Sequence, residues 1–182
     1  EMAQLLVTVE NEQYIFTLDG KYLTSAPTGN GLSFAEELTD CGKWTLELQD
    51  SGKWIIKNVG ANYNGNYNQA MEVYYSAFTT YGWKDSNIYE FQLYVKTAGG
   101  ETPDTPDVPV EPEDPDVPDT PVEGEDVFTL TTELKNGDQL VIYYPTESLV
   151  MSSNLDDRNR VVGIAAEAPV NGVLTLPEGA VV

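Results

Sequence analysis

Histidine is absent from these 182 residues. Without imidazole there is no histidine general base, no Ser-His-Asp triad and no histidine metal ligand, which also removes the usual metallophosphoesterase ligand sets. Cysteine is nearly absent. Cys41 stands alone, which excludes an intrachain disulfide and a thiolate metal cluster, so no metal site and no cofactor is expected. Bases are scarce: nine Lys and Arg face thirty Asp and Glu, for a formal net charge of −21. That balance repels nucleic acid and anionic membrane surfaces, so neither is an expected partner. No apolar run approaches the length of a membrane span, and no phosphate-cradling GxxxxGK[ST] loop occurs.

Proline, by contrast, is concentrated in one place. It falls at every third position from Pro103 to Pro121, and Glu101 to Asp126 holds eleven acids and no base. A three-residue proline period suits the turn of polyproline II, and like charges keep such a segment extended. The stretch from about Thr97 to Glu125 is expected to form neither helix nor strand. The remaining residues are apolar enough for a core, since 41% of the chain is hydrophobic.

On both sides of the proline segment the sequence reads as short strands between turns. Leu5–Val9, Tyr14–Leu18, Lys21–Ser25, Leu32–Phe34, Trp44–Leu48 and Trp54–Val59 come first, with a hairpin signal at Asp19-Gly20. Leu140–Tyr144, Val161–Ile164, Gly172–Leu176 and Ala180–Val182 follow. Phe34–Leu38 is the one helix-like patch, too short to stand alone. Stacking the segments shows a repeat. Tyr14–Thr17 and Trp54–Lys57 open two units, and Trp44–Leu48 and Tyr89–Leu93 close them, aligning Trp44, Leu46 and Leu48 with Tyr89, Phe91 and Leu93. A third unit opens at Leu140. Three units of roughly 45 residues, each with about four strands, predict an all-β, β-trefoil-like barrel. It would be assembled in circularly permuted order from 127–182 plus 1–96; β-sandwich fragments are the alternative. Trp44 and Trp54 are expected at matching strand positions of the repeats, and Trp44, Trp54, Leu46, Ile56, Phe16 and Phe91 are the predicted core. In a single closed barrel Val182 should lie close to Glu1.

Leu134–Tyr143, Asp19–Ser25, Trp44–Glu47, Trp54–Val59, Tyr74–Ser76 and Phe78–Tyr81 together resemble a repeat module of large secreted multidomain proteins, mainly from Gram-positive gut bacteria. There it lies beside 5′-nucleotidase, endonuclease/exonuclease/phosphatase or other phosphoesterase domains, in copies joined by Pro/Asp/Glu-rich linkers. The resemblance implies that residues 1–96 are the C-terminal two-thirds of one β module, 97–126 an extended linker, and 127–182 the N-terminal third of the next copy. The chain is then expected to be an excerpt of a longer array. It implies an extracellular or cell-surface location and a non-catalytic accessory or spacer role, with neighbouring domains of the same polypeptide as partners. The catalytic motifs of those parent enzymes do not occur here.

Two candidate binding features stand out. Asn62–Asn68 alternates amides with tyrosine, a pattern that reads as a sugar- or calcium-binding loop, though Asn and Gly also suit an irregular loop. Tyr74, Tyr75, Phe78, Tyr81 and Trp83 form the densest aromatic cluster, and strand alternation buries roughly half of it. Rings left on the surface would mark a ligand site. Tyr75, Tyr81, Trp83, Asn64 and Asn66 are therefore the candidate residues for a glycan-binding alternative. That alternative is weakened by the lack of the Gln-x-Trp signature of ricin-type lectins, since Cys41-Gly42-Lys43 precedes Trp44. The adjacent acids Glu36-Glu37 and Asp156-Asp157 read as solvated pairs, and Cys41 as the end of a turn.

Overall fold

The computed structural model describes residues 4–62, 65, 69–83, 87–97, 127–145, 149–155, 161–165 and 168–176. These are all-β, with fourteen strands and no α-helix among the described residues. The first nine strands are β1 (Leu5–Glu10), β2 (Gln13–Leu18), β3 (Lys21–Ser25), β4 (Leu32–Ala35), β5 (Lys43–Leu48), β6 (Trp54–Asn58), β7 (Gln69–Tyr74), β8 (Ala77–Gly82) and β9 (Gln92–Lys96). The remaining five are β10 (Val127–Thr131), β11 (Gln139–Tyr144), β12 (Leu149–Leu155), β13 (Val161–Ala165) and β14 (Val173–Thr175). All named pairings are antiparallel.

Backbone pairing runs around a ring, β11–β1–β2–β5–β6–β9 and back to β11. The β6–β9 seam is the thinnest, a bridge in which Trp54 and Phe91 exchange two hydrogen bonds of 2.7 and 2.9 Å. The register repeats three times. Tyr14 of β2 faces Trp44, Trp54 of β6 faces Phe91, and Leu140 of β11 faces Leu5. On their other edges the same three residues face Val9, Leu48 and Val95. Hairpins β3–β4, β7–β8 and β12–β13 lie between the ring strands of each unit.

Because side chains alternate along a strand, this register delivers matched residues to the interior. Leu5, Trp44 and Phe91 are buried together with Phe16, Ile56, Ile142, Val7 and Leu93 in one core cluster, against which Leu46 and Tyr14 pack. Burial of each large side chain is worth about 1.5–3 kcal/mol. The predicted core residues Trp44, Trp54, Ile56, Phe16 and Phe91 are buried, and Leu46 is half-buried against them. The two indoles bring a polar N–H that also needs a partner: Trp44 Nε1 donates to the Leu23 carbonyl at 3.1 Å and Trp54 Nε1 to that of Thr131 at 3.2 Å. A second, smaller cluster of Tyr94, Phe128, Val141, Tyr143, Val150 and Leu174 includes the opposite faces of β9 and β11, where β10 and β14 extend the sheet.

The structure corrects three local expectations. Phe34 and Ala35 belong to strand β4 rather than to a helical patch, with Leu23 and Tyr22 paired to them. The closing strand of the Trp54 unit starts later than Tyr89, because a 3₁₀ turn at Asn87–Tyr89 occupies that place. Phe91, not Tyr89, is thus the counterpart of Trp44, and Leu93 that of Leu46. Finally, Trp44 and Trp54 are not equivalent positions, since one lies on a closing strand and the other on an opening strand of adjacent units.

Thr97 and Val127 meet: the Thr97 N–H donates to the Val127 carbonyl at 3.0 Å. The proline-rich residues between them lie outside the described residues, as do Glu1 and Val182 and the expectation that those two adjoin.

Candidate functional site

The β7–β8 hairpin carries the aromatic cluster. Its turn is Tyr75-Ser76, with φ of 47° and 58°. Two-residue hairpin turns of this sense normally use Asn-Gly or Asp-Gly, because a positive φ strains a residue with a bulky side chain. A tyrosine held there costs stability on the order of 1 kcal/mol, and its ring is 81% exposed. It meets Tyr74 edge to face, centroids 4.4 Å apart. The hydrogen bond with the Tyr75 hydroxyl pushes the pKa of Tyr74 up.

Alternation divides the cluster unevenly. Phe78 points into the core and is fully buried, whereas Tyr74, Tyr75 and Tyr81 are exposed. Trp83 is half-buried against a small cluster of Ile55, Ala70 and Tyr89. So one ring of the five, not half, belongs to the core interior. Lys57 of β6 stands over the Trp83 ring, its Nζ 4.4 Å from the centroid, while also pairing with Glu47 at 2.8 Å.

Beneath these rings lies a buried polar pair. Glu72 is 6% exposed, and its carboxylate and the Gly82 carbonyl, the latter at 3.0 Å, share the one proton of the Tyr89 hydroxyl. Burial first, then the charge of Glu72 and this hydrogen bond, push the Tyr89 pKa up to about 12. The unit containing β2–β5 has no such pair. Its own 3₁₀ turn, Asp40–Gly42, places Gly42 where this unit has Tyr89. A Cβ on Gly42 would come within 2.9 Å of Leu38 Cδ1, so a side chain there would have to displace Leu38.

Two further polar residues enter the interior nearby. Asn58 is satisfied, donating to the Cys41 carbonyl at 2.8 Å and accepting from the N–H groups of Gly60 and Ala61 at 3.1 and 2.8 Å. Gln69, fully buried at the start of β7, has no hydrogen-bond partner among the described residues for either amide atom.

Of the candidate residues, Tyr75 sits in the hairpin turn, whereas Tyr81 faces Ala70 at the other end of the hairpin and Trp83 follows β8, so the structure spreads them along the hairpin; Asn64 and Asn66 lie outside the described residues. Sequence reasoning missed Glu72 and Tyr89. Their only sequence signal is an acid on the same strand face as Tyr74, and a tyrosine at a position read as part of a strand. Glu36 is exposed and pairs with Lys21 at 3.0 Å, and Glu37 is exposed; Asp156-Asp157 fall outside the described residues. Cys41 sits half-buried in its 3₁₀ turn, and burial pushes its thiol pKa up. Among the described residues no group of three His, Cys, Asp or Glu side chains is placed to hold a metal ion, and no helix is long and apolar enough to cross a membrane.

The arrangement offers ring faces for stacking and a carboxylate and an ammonium for hydrogen bonding. No known protein family, curated protein or solved structure matches the chain.

Proposed function

We propose that this chain is a non-catalytic accessory or spacer module of an extracellular multidomain protein, built as a β-trefoil-like barrel of three units in permuted order. The observation that supports it most is the threefold register, in which Tyr14, Trp54 and Leu140 occupy the same place between two ring strands. A repeat unit of this size cannot bury its apolar face alone, and three close on one another. The centre so formed is filled by hydrocarbon and aromatic side chains, which give rigidity and spacing rather than chemistry. The test is turnover: the purified chain should leave nucleotides, phosphomonoesters and phosphodiesters unhydrolysed. Hydrolysis that co-purifies with the chain and disappears on a point substitution would overturn the proposal.

A second reading is carbohydrate binding, favoured by exposed Tyr74 and Tyr75 at a strained turn and by exposed Tyr81 and half-buried Trp83 at the other end of the same hairpin. Tyrosine and tryptophan faces stack on sugar rings, and the acidic chain repels anionic glycans, so a neutral glycan is the expected ligand. Reproducible signals on a glycan array, lost on Tyr81→Ala or Trp83→Ala, would establish it. Silence across neutral glycans would remove it.

A further inference from the structure

We infer that residues 127–175 act as a strand donor that can pair with residues 4–97 of a second copy of this chain as they pair with their own. The proposal rests on the described pairings and goes beyond the module's spacer role to its self-association.

The contact between the two segments is large and regular. Strand β9 lies between β10 and β11, both from the donor, with Leu93 facing Ile142 on one edge and Thr131 on the other. Strand β1 takes the end of β11, Leu5 facing Leu140. Leu140, Ile142 and Tyr144 enter the main core, and Phe128 and Leu174 join the second cluster. Without the donor, β1 and β9 would each present an open edge above exposed core residues, a ready template for an incoming strand.

Nothing in this contact depends on which chain supplies the donor. The connection leaves at Thr97 and returns at Val127, which are hydrogen-bonded to each other. Pairing within one chain therefore requires the 98–126 segment to bring its ends together. Its sequence, with proline at every third position and eleven acids without a base, resists that closure. A tether of this kind sets an effective concentration of about millimolar or below, which a second copy can match when chains are crowded or tandem. The exchanged pair would contain two lobes, each identical to the one described here.

The test uses two intact chains, each damaged in one half. A donor-defective chain carries Phe128→Asp with Ile142→Asp, and an acceptor-defective chain carries Phe91→Asp. Neither should show a cooperative unfolding transition alone. Refolded together, they should give a complex of two chains with one restored lobe and one cooperative transition. A mixture that behaves as the sum of its parts would overturn the inference. The unsubstituted chain gives an independent measurement. After refolding, its dimer-to-monomer ratio should rise in step with chain concentration, and replacing 98–126 by a two-residue Asn-Gly turn, which closes a hairpin without strain, should leave monomer. Monomer alone at every concentration, or equal dimer in the short-turn variant, would refute it.

Discussion

Truncating Trp44 to alanine probes the ring directly. The side chain is fully buried, 6.5 Å from Phe16 centroid to centroid, and its indole N–H bonds the Leu23 carbonyl. Removing a core tryptophan costs about 3–5 kcal/mol, since the transfer free energy of the ring is lost and a cavity is left. For a domain of this size each kcal/mol shifts Tm by about 2–4 °C, so Trp44→Ala should melt about 6–20 °C lower. Trp44→Phe separates the two contributions. It keeps most of the ring and loses the hydrogen bond, worth about 0.5–1.5 kcal/mol net, plus a small volume change. Urea titration followed by far-ultraviolet circular dichroism gives both numbers, with an unchanged slope indicating an intact native state. A loss below about 1 kcal/mol for Trp44→Ala would place the side chain outside the core and refute the register. Equal losses for Ala and Phe would refute the partition between packing and hydrogen bond.

Gly60→Ala should destabilise by about 1–3 kcal/mol, measured as a fall in Tm, because the new Cβ would meet the Asp40 carbonyl carbon at 2.4 Å and the Cys41 nitrogen at 2.6 Å. Gly20→Ala meets nothing within 4 Å and should cost only its left-handed φ of 77°, about 1 kcal/mol. Asn58 and Gln69 should respond in opposite directions: Asn58→Leu strands the Cys41 carbonyl and the Gly60 and Ala61 N–H groups and should cost at least about 2 kcal/mol, whereas Gln69→Leu removes two amide atoms with no partner among the described residues and should be neutral or stabilising by denaturant titration. Burial raises Tyr89 and Tyr94 from the ordinary 10.0 to about 12, Glu72 adding to the first and Tyr143 to the second. Between these values the folded chain keeps protons that the unfolded chain releases, so stability is full below pH 10 and falls as pH rises towards 12. Tyr89→Phe should make the alkaline loss of stability shallower, read as Tm against pH.

Much of the architecture is legible in the residues, and the gaps have physical causes. The opening strands are marked by aromatic and β-branched runs, and Asp19-Gly20 supplies the positive φ its hairpin needs, 49° and 77°. The turns at Asn11-Glu12 and Tyr75-Ser76 adopt the same left-handed conformation without glycine, so the tight hairpins β1–β2 and β7–β8 lack the Asn-Gly or Asp-Gly signal. Tertiary packing imposes these conformations against local preference. Alternating aromatic and polar residues fit a strand as well as a 3₁₀ turn followed by one, so the pattern alone does not separate Tyr89 from Phe91 as the counterpart of Trp44. Strand β10 is missing from the strands read above although Val127–Thr131 alternates as a strand should, and its cover over Tyr94 and Tyr143 lies outside the three-unit repeat that guided the reading. In the site, exposure of Tyr75 and Tyr81 was foreseeable from cluster density. The buried Glu72 was not, because an acid on a strand normally faces water.

The seam between the two segments also determines the order of events in folding. Pairings such as β2–β3, β3–β4, β5–β6 and β7–β8 join near neighbours and can form within microseconds. Closure of the ring waits for β11, whose Leu140 must find Leu5 across most of the chain's length, and such non-local pairing is slow. Ring closure is therefore the expected slow phase of refolding, because it has the longest loop to close. The rate of the slow phase is set by how often the 98–126 segment lets its ends meet, a property of its sequence rather than of any contact in the finished fold.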